Sequence, residues 1–221
     1  MARGRSIPAA PSVKGVTPKI DPKVEIYIVC EGQNTEPQYF TSCAQAYGSG
    51  LVIIRPIPAA GAPMTLVSKA AELKATLLAE RRRSKDSYDC CFRVWAVFDR
   101  DEHPRVDEAL QMARDHKVDV AFSNPCFELW PVLHIESYGS QSDRHALQKY
   151  LSGLMPNYDH QYGAIVDFDQ IKDQVDSAIS RAEALLVQRE LEGVPLGAPS
   201  TTVCALVKKI IENGKRWTPR S

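Results

Sequence analysis

No apolar run in this sequence approaches the ~20 residues of a membrane-spanning helix. The charged N-terminus is followed by no apolar stretch, so no secretory signal is expected. The six cysteines (Cys30, Cys43, Cys90, Cys91, Cys126 and Cys204) contain no CxxC pair and no Cys/His spacing of a metal site. Most lie among apolar residues, where cysteine acts as a small hydrophobe, and Cys90–Cys91 reads as a buried structural pair. A reducing cytoplasm is the natural setting. Net charge is also missing: 27 Lys and Arg balance 27 Asp and Glu, so there is no global basic field of the kind isolated nucleic-acid binders carry.

The charge that is present is unevenly spread. The first twenty residues hold Arg3, Arg5, Lys14 and Lys19 with no acid, and residues 1–22 read as a flexible basic tail. Arg81, Arg82, Arg83 and Lys85 form a second cluster, and Lys208, Lys209, Lys215, Arg216 and Arg220 a third. Each alone is what a solvated helix end or tail favours. Together they point to an anionic partner.

The 221 residues suffice for one large domain, or a domain with an appendage, and a chain of this size buries roughly 70% of its unfolded surface. Four β-rich runs stand out: 24–30, 51–57, 92–98 and 118–122. Helical patterns separate them at 37–47, 65–80 and 102–116. Leu66, Ala70, Leu73 and Leu77 set the spacing of the clearest one. Strand–helix alternation of this kind predicts the α/β class, a Rossmann-like parallel sheet of about four strands with helices on both faces. After the fourth strand the pattern turns helical: a buried helix over 126–136, a long helix from 168 to about 191, and a last helix over 202–213. The core is therefore expected over 23–136, with a mainly helical extension over 137–221 packing on it.

The stretch VEIYIVCEGQNTEPQYF, residues 24–40, delivers Glu31 and Gly32 where the first strand should end. In an open parallel sheet, ligands gather beyond the carboxyl ends of the strands. Thr35 to Gln38 fits a T-x-x-Q capping box that starts the next helix. The third strand, FRVWAVFDRDEHP, ends in Asp99–Arg100–Asp101, whose two aspartates face one side in extended geometry. If the first and third strands are neighbours, three carboxylates meet. Each pair at ~4 Å costs about 4 kcal/mol at an effective dielectric of ~20 unless a cation joins them. All-oxygen ligands suit Mg2+ or Mn2+. The plainer alternative for Asp99 and Asp101 is capping of the helix that follows. In FSNPCFELWPVLH, Asn124 is expected to cap and Pro125 to open the helix. Glu128 is the lone acid on that otherwise apolar helix, and burial demands that it meet an arginine, backbone donors or the metal region. His134 reads as structural, and His103 as a surface residue near Asp101.

IVCEGQNTEPQYF, VFDRDEH, SNPCFELW and APSTTVCALV resemble the RloB-like proteins, a group associated with restriction and phage-defence loci; the matching motifs span 28–207. The core of that family resembles the Toprim fold, whose sites use a glutamate after the first strand and a D-x-D after the third to bind Mg2+. The resemblance implies catalytic and metal-binding roles for Glu31, Asp99 and Asp101, with Glu31 also the general base and Glu128 a further metal or outer ligand. Arg100, His103, Gly32 and Thr35 are the expected substrate contacts. It further implies an Mg2+- or Mn2+-dependent nuclease acting on DNA or RNA and controlled by an ATPase partner of the RloA-like, AAA or ABC type; a homo-oligomer is allowed for. The chain is too short to supply a topoisomerase tyrosine domain. The competing classes are a metal-dependent phosphatase or nucleotidyl transferase, and a non-catalytic regulatory subunit of an ATPase complex.

Overall fold

The computed structural model describes residues 24–32, 34–59, 61–83, 91–100, 103, 105–159, 163 and 165–215. The basic N-terminal segment, Cys90 and Asp101 lie outside them. One sheet organises the molecule. β1 (Val24–Cys30), β2 (Val52–Pro58), β3 (Phe92–Asp99) and β4 (Asp119–Asn124) run parallel, and the two-residue β5 (Ser200–Thr201) adds antiparallel to β4. The strand order is β2-β1-β3-β4-β5. A parallel strand covered on both faces must be apolar on both. β3 shows this, with Val94 to Phe98 all buried.

On one face lie α2 (Pro63–Arg83) and α3 (Val106–Asp115), packing Leu66, Val67, Ala70 and Ala109 against Val29, Val94, Ala96 and Phe98. The other face is covered by α1 (Thr35–Tyr47), α4 (Leu129–Ile135), α5 (Arg144–Leu154), α6 (Phe168–Ile171), α7 (Val175–Leu191) and α8 (Val203–Gly214). Their apolar faces join Ile26, Ile28, Cys30, Trp95 and Val97 in one cluster that also takes in residues beyond 137, among them Leu147, Ala178 and Leu206. At its centre the Tyr39 ring meets Phe40, Phe127, Trp130, His134 and Phe168 edge-on, with centroids 5.3–6.2 Å apart. Among the described residues, no helix is long and apolar enough to cross a membrane.

Several expectations are corrected here. The long helix predicted from 168 is broken: α6 passes through a single 3₁₀ turn before α7. Side chains take up the carbonyls at the break. His134 Nδ1 donates to Ile171 O at 2.8 Å, and the Tyr47 hydroxyl donates to Lys172 O. Because Nδ1 donates, Nε2 accepts from the Tyr39 hydroxyl at 2.9 Å. Burial then holds this imidazole neutral, with its pKa lowered to about 4, so the structural reading of His134 stands. Asn124 does not cap a helix and Pro125 does not open one. Asn124 ends β4, its Nδ2 donates to Leu196 O at 2.8 Å, the bond to Pro125 is cis, and α4 begins only at Leu129. The capping box is not formed either: Asn34 occupies the cap of α1 and no side chain bonds there.

Candidate functional site

The strand order itself selects a place for a ligand. From β1 the chain goes out to β2 on one side, then returns past β1 to β3 on the other. The crevice between β1 and β3, beyond their carboxyl ends, is therefore the topological switch point, where open α/β sheets bind ligands. In the parallel register Cys30 stands opposite Val97. Glu31 follows Cys30 directly and Asp99 lies two residues past Val97, on adjacent strands ~4.8 Å apart. β1 and β3 are neighbours, as the expectation for these carboxylates requires.

Glu31 is exposed at the start of the turn. Glu36, in the first turn of α1, is buried, and its carboxylate lies flat against Gly32. A Cβ built on Gly32 would stand 1.9 Å from Glu36 Oε2, so any side chain there would evict the carboxylate. Asp99 is half-buried at the tip of β3 and accepts a bond from the Phe127 backbone N–H. Glu128 is buried beside it in the loop after β4, and its Oε1 accepts from the Tyr158 hydroxyl at 2.6 Å and from Gln148 Nε2 at 3.3 Å.

These carboxylates act on one another. Burial pushes the Glu36 carboxyl up to about 7, and the charges of Glu128 and Glu31 push the same way. Burial, then the charges of Glu36 and Glu128, raise Asp99 well above the usual carboxylate range, while the Phe127 N–H and the cationic Arg144 oppose that rise. Glu36 is therefore the link between Glu31 after β1, Asp99 at the end of β3 and Glu128 in the loop after β4. Placing several carboxylates where water is excluded is unfavourable unless a cation or protons compensate. Perturbed groups of this kind, gathered in a crevice, mark candidate functional sites.

Of the residues singled out from sequence, Glu31, Asp99, Glu128 and Gly32 come together here, and Asp101 lies outside the described residues. Thr35 is the buried first residue of α1. Arg100 is exposed next to Asp99, its N–H bonded to Ser123 O at 2.8 Å, and the N–H of half-buried His103 donates to Arg100 O at 3.2 Å. Capping does not explain Asp99, because α3 starts at Val106 with Arg105 in the cap position. Sequence reasoning missed Glu36, hidden as an ordinary acid in the first turn of a helix. It also missed Arg144, Gln148 and Tyr158 of the helical extension, which no local pattern connects to residue 128. Among the described residues, no group of three or more His, Cys, Asp or Glu is drawn together tightly enough to hold a metal ion as it stands. The carboxylates offer hard oxygens at a partly desolvated, negatively charged place, which fits Mg2+ or Mn2+ by chemistry. The Cys30 and Cys126 thiols lie beside them, but burial raises the pKa of both well above the ordinary thiol range and keeps them protonated, hence poor ligands.

Tyr158 tests how much the extension contributes. Tyr158→Phe removes a buried bond to a carboxylate and is expected to cost about 2 kcal/mol in urea denaturation. A loss under ~0.5 kcal/mol would mean that Glu128 is held by other donors.

A mostly parallel α/β sheet with acidic groups at its switch point defines the structural class. The family model described as RloB-like protein matches residues 26–210, and the chain belongs to that family. No curated protein matches the chain, and no solved structure does.

Proposed function

We propose that this protein is a divalent-metal-dependent nuclease, a cytoplasmic effector of phage defence whose activity is controlled by an ATPase partner. The observation that carries the reading is that Glu31 and Asp99 follow or end neighbouring strands at the switch point, with buried Glu36 acting on both and on Glu128. Membership of the RloB-like family and the Toprim-like sequence motifs support it. Glu31, Asp99 and Asp101 would hold Mg2+ or Mn2+, with Glu128 and Glu36 beside them. When bound, such an ion neutralises charge on the scissile phosphodiester and acidifies water. Glu31, the exposed member, is the residue with access to a substrate water and so the one suited to accept its proton. Arg144, whose charge acts on Asp99, and Arg100, exposed and next to it in sequence, are the guanidinium groups suited to meet substrate phosphate. Gly32, in the turn itself, leaves room for the Glu36 carboxylate, and Thr35 begins the helix behind it.

One observation favours the rival reading of a non-catalytic regulatory subunit: 27 Lys and Arg balance 27 Asp and Glu, where isolated nucleic-acid binders are usually more basic. A single panel separates the two: purified protein, with and without its ATPase partner, on DNA, transfer RNA and messenger RNA, in Mg2+, in Mn2+ and in EDTA. Cleavage that requires the metal is the expected result. Metal uptake by calorimetry with no cleavage of any substrate, partner included, would establish the regulator instead.

A further inference from the structure

Arginines gather at the edge of the sheet opposite the carboxylates. α2 runs back against the strands after leaving β2, so its last turn lies over their N-terminal ends. There Arg81 donates to Glu25 Oε2 at 2.7 Å, and its guanidinium sits 4.6 Å above the ring of Phe92, the first residue of β3. Arg55 donates to the other oxygen of Glu25 at 2.9 Å, and the Tyr27 hydroxyl donates to Oε2 at 3.0 Å. Glu25 thus fixes two guanidinium groups side by side. Arg82 and Arg83 follow, both exposed, and among the described residues no ion pair joins either to a carboxylate. Arg93, the second residue of β3, is exposed at the same edge.

A solvated helix end accounts for basic residues in the last turn of α2. It does not account for Arg55 on β2, for a glutamate clamped between that strand arginine and Arg81 of α2, or for the stack on Phe92. Guanidinium groups offer planar pairs of donors that match phosphate oxygens. The eight residues of β3 put this edge roughly 25 Å from Asp99, too far to contact a phosphate bound there. The segment preceding Val24 carries Arg3, Arg5, Lys14 and Lys19 among its first twenty residues and joins the fold beside Glu25. By sequence, that segment adds four basic residues and no acid in its first twenty to the chain that enters the fold at this edge, a charge complementary to a polyphosphate backbone.

We infer that this arginine edge, centred on Arg55, Arg82 and Arg83, is a docking surface for the phosphate backbone of a nucleic acid, separate from the carboxylate site. The test is binding in EDTA, where no metal-dependent step operates, so its outcome does not depend on whether the protein is a nuclease. Anisotropy of a labelled single strand and a labelled duplex is followed across a KCl titration, for the full chain and for Arg55→Gln/Arg82→Gln/Arg83→Gln. The triple variant is expected to bind about tenfold more weakly, with the slope of log affinity against log salt shallower by about 2. All three side chains are exposed, and melting of the variant checks that the fold is kept. Unchanged affinity would overturn the inference. So would a loss confined to a variant neutralised at Arg3, Arg5, Lys14 and Lys19. Displacement by polyglutamate as effective as by nucleic acid would overturn it too, by assigning the surface to an acidic protein.

Discussion

Asp99→Asn is expected to lower Mg2+-dependent cleavage roughly a thousandfold while leaving the protein folded. The change keeps the shape of the side chain and an oxygen that can still accept the Phe127 N–H. What it removes is the negative charge, and a metal site that loses a charged ligand gives up several kcal/mol of transition-state stabilisation at ~1.4 kcal/mol per tenfold. Glu31→Gln should have a similar effect. The double variant should be little worse than either, because residues that act as one unit are not additive. Single-turnover rates in saturating Mg2+ measure the loss. Melting of the metal-free proteins separates chemistry from folding, since Asp99→Asn also relieves repulsion with Glu36 and Glu128 and should be no less stable than the parent. Full-rate cleavage by both single variants would remove these carboxylates from the reaction.

Much of the architecture is legible in the sequence because it rests on local rules. A buried parallel strand must be an apolar run, and a covering helix must place Leu66, Ala70 and Leu77 on one face. Glu31 and Asp99 were readable for the same reason: each is the polar residue that ends such a run. What failed to show depends on contacts between distant segments. β5 is two residues long and exists only because β4 offers it an edge. The break after α6 is stabilised by Tyr47 and His134, both far away in sequence. Tyr158 and Gln148 reach Glu128 across twenty residues or more. Glu36 has the opposite difficulty, being too ordinary: acids are common in a first helical turn, and only the closeness of its carboxylate to Gly32 reveals that it points inward. The basic clusters were legible as charge, but not as to place. Arg81 to Arg83 end up at the sheet edge away from the carboxylates, because α2 must run antiparallel to the strands it connects.

Glu36 gives the second large effect, one of stability. In the metal-free fold its carboxyl is pushed from an ordinary 4.5 to about 7, first by burial and then by Glu128 and Glu31. A raised folded-state pKa means that the fold prefers the protonated form. The stability tied to that proton is fully present below about 4.5 and lost as pH climbs through about 7. At ~1.4 kcal/mol per pH unit, the loss is about 3 kcal/mol. His134 acts in the reverse direction, since its folded pKa of about 4 lies below the ordinary 6.5 and the fold loses stability as pH falls through that interval. The two slopes overlap, so the total stability of the parent hides both. The difference between Glu36→Gln and the parent isolates the glutamate, because His134 is common to both. That difference should be small at pH 4.5 and grow to about 3 kcal/mol in favour of the variant above pH 7. Asp99 adds to it in the same sense, since its own pKa is raised by the Glu36 charge that the variant lacks. Mg2+ or Mn2+ should reverse the ranking at high pH by stabilising the parent's ionised carboxylates more than the variant's. Urea titrations at several pH values, in EDTA and then in Mg2+, measure both parts. A difference that stays flat with pH would show that Glu36 is ionised at no cost in the folded protein, and the carboxylates would then need no cation to hold them together.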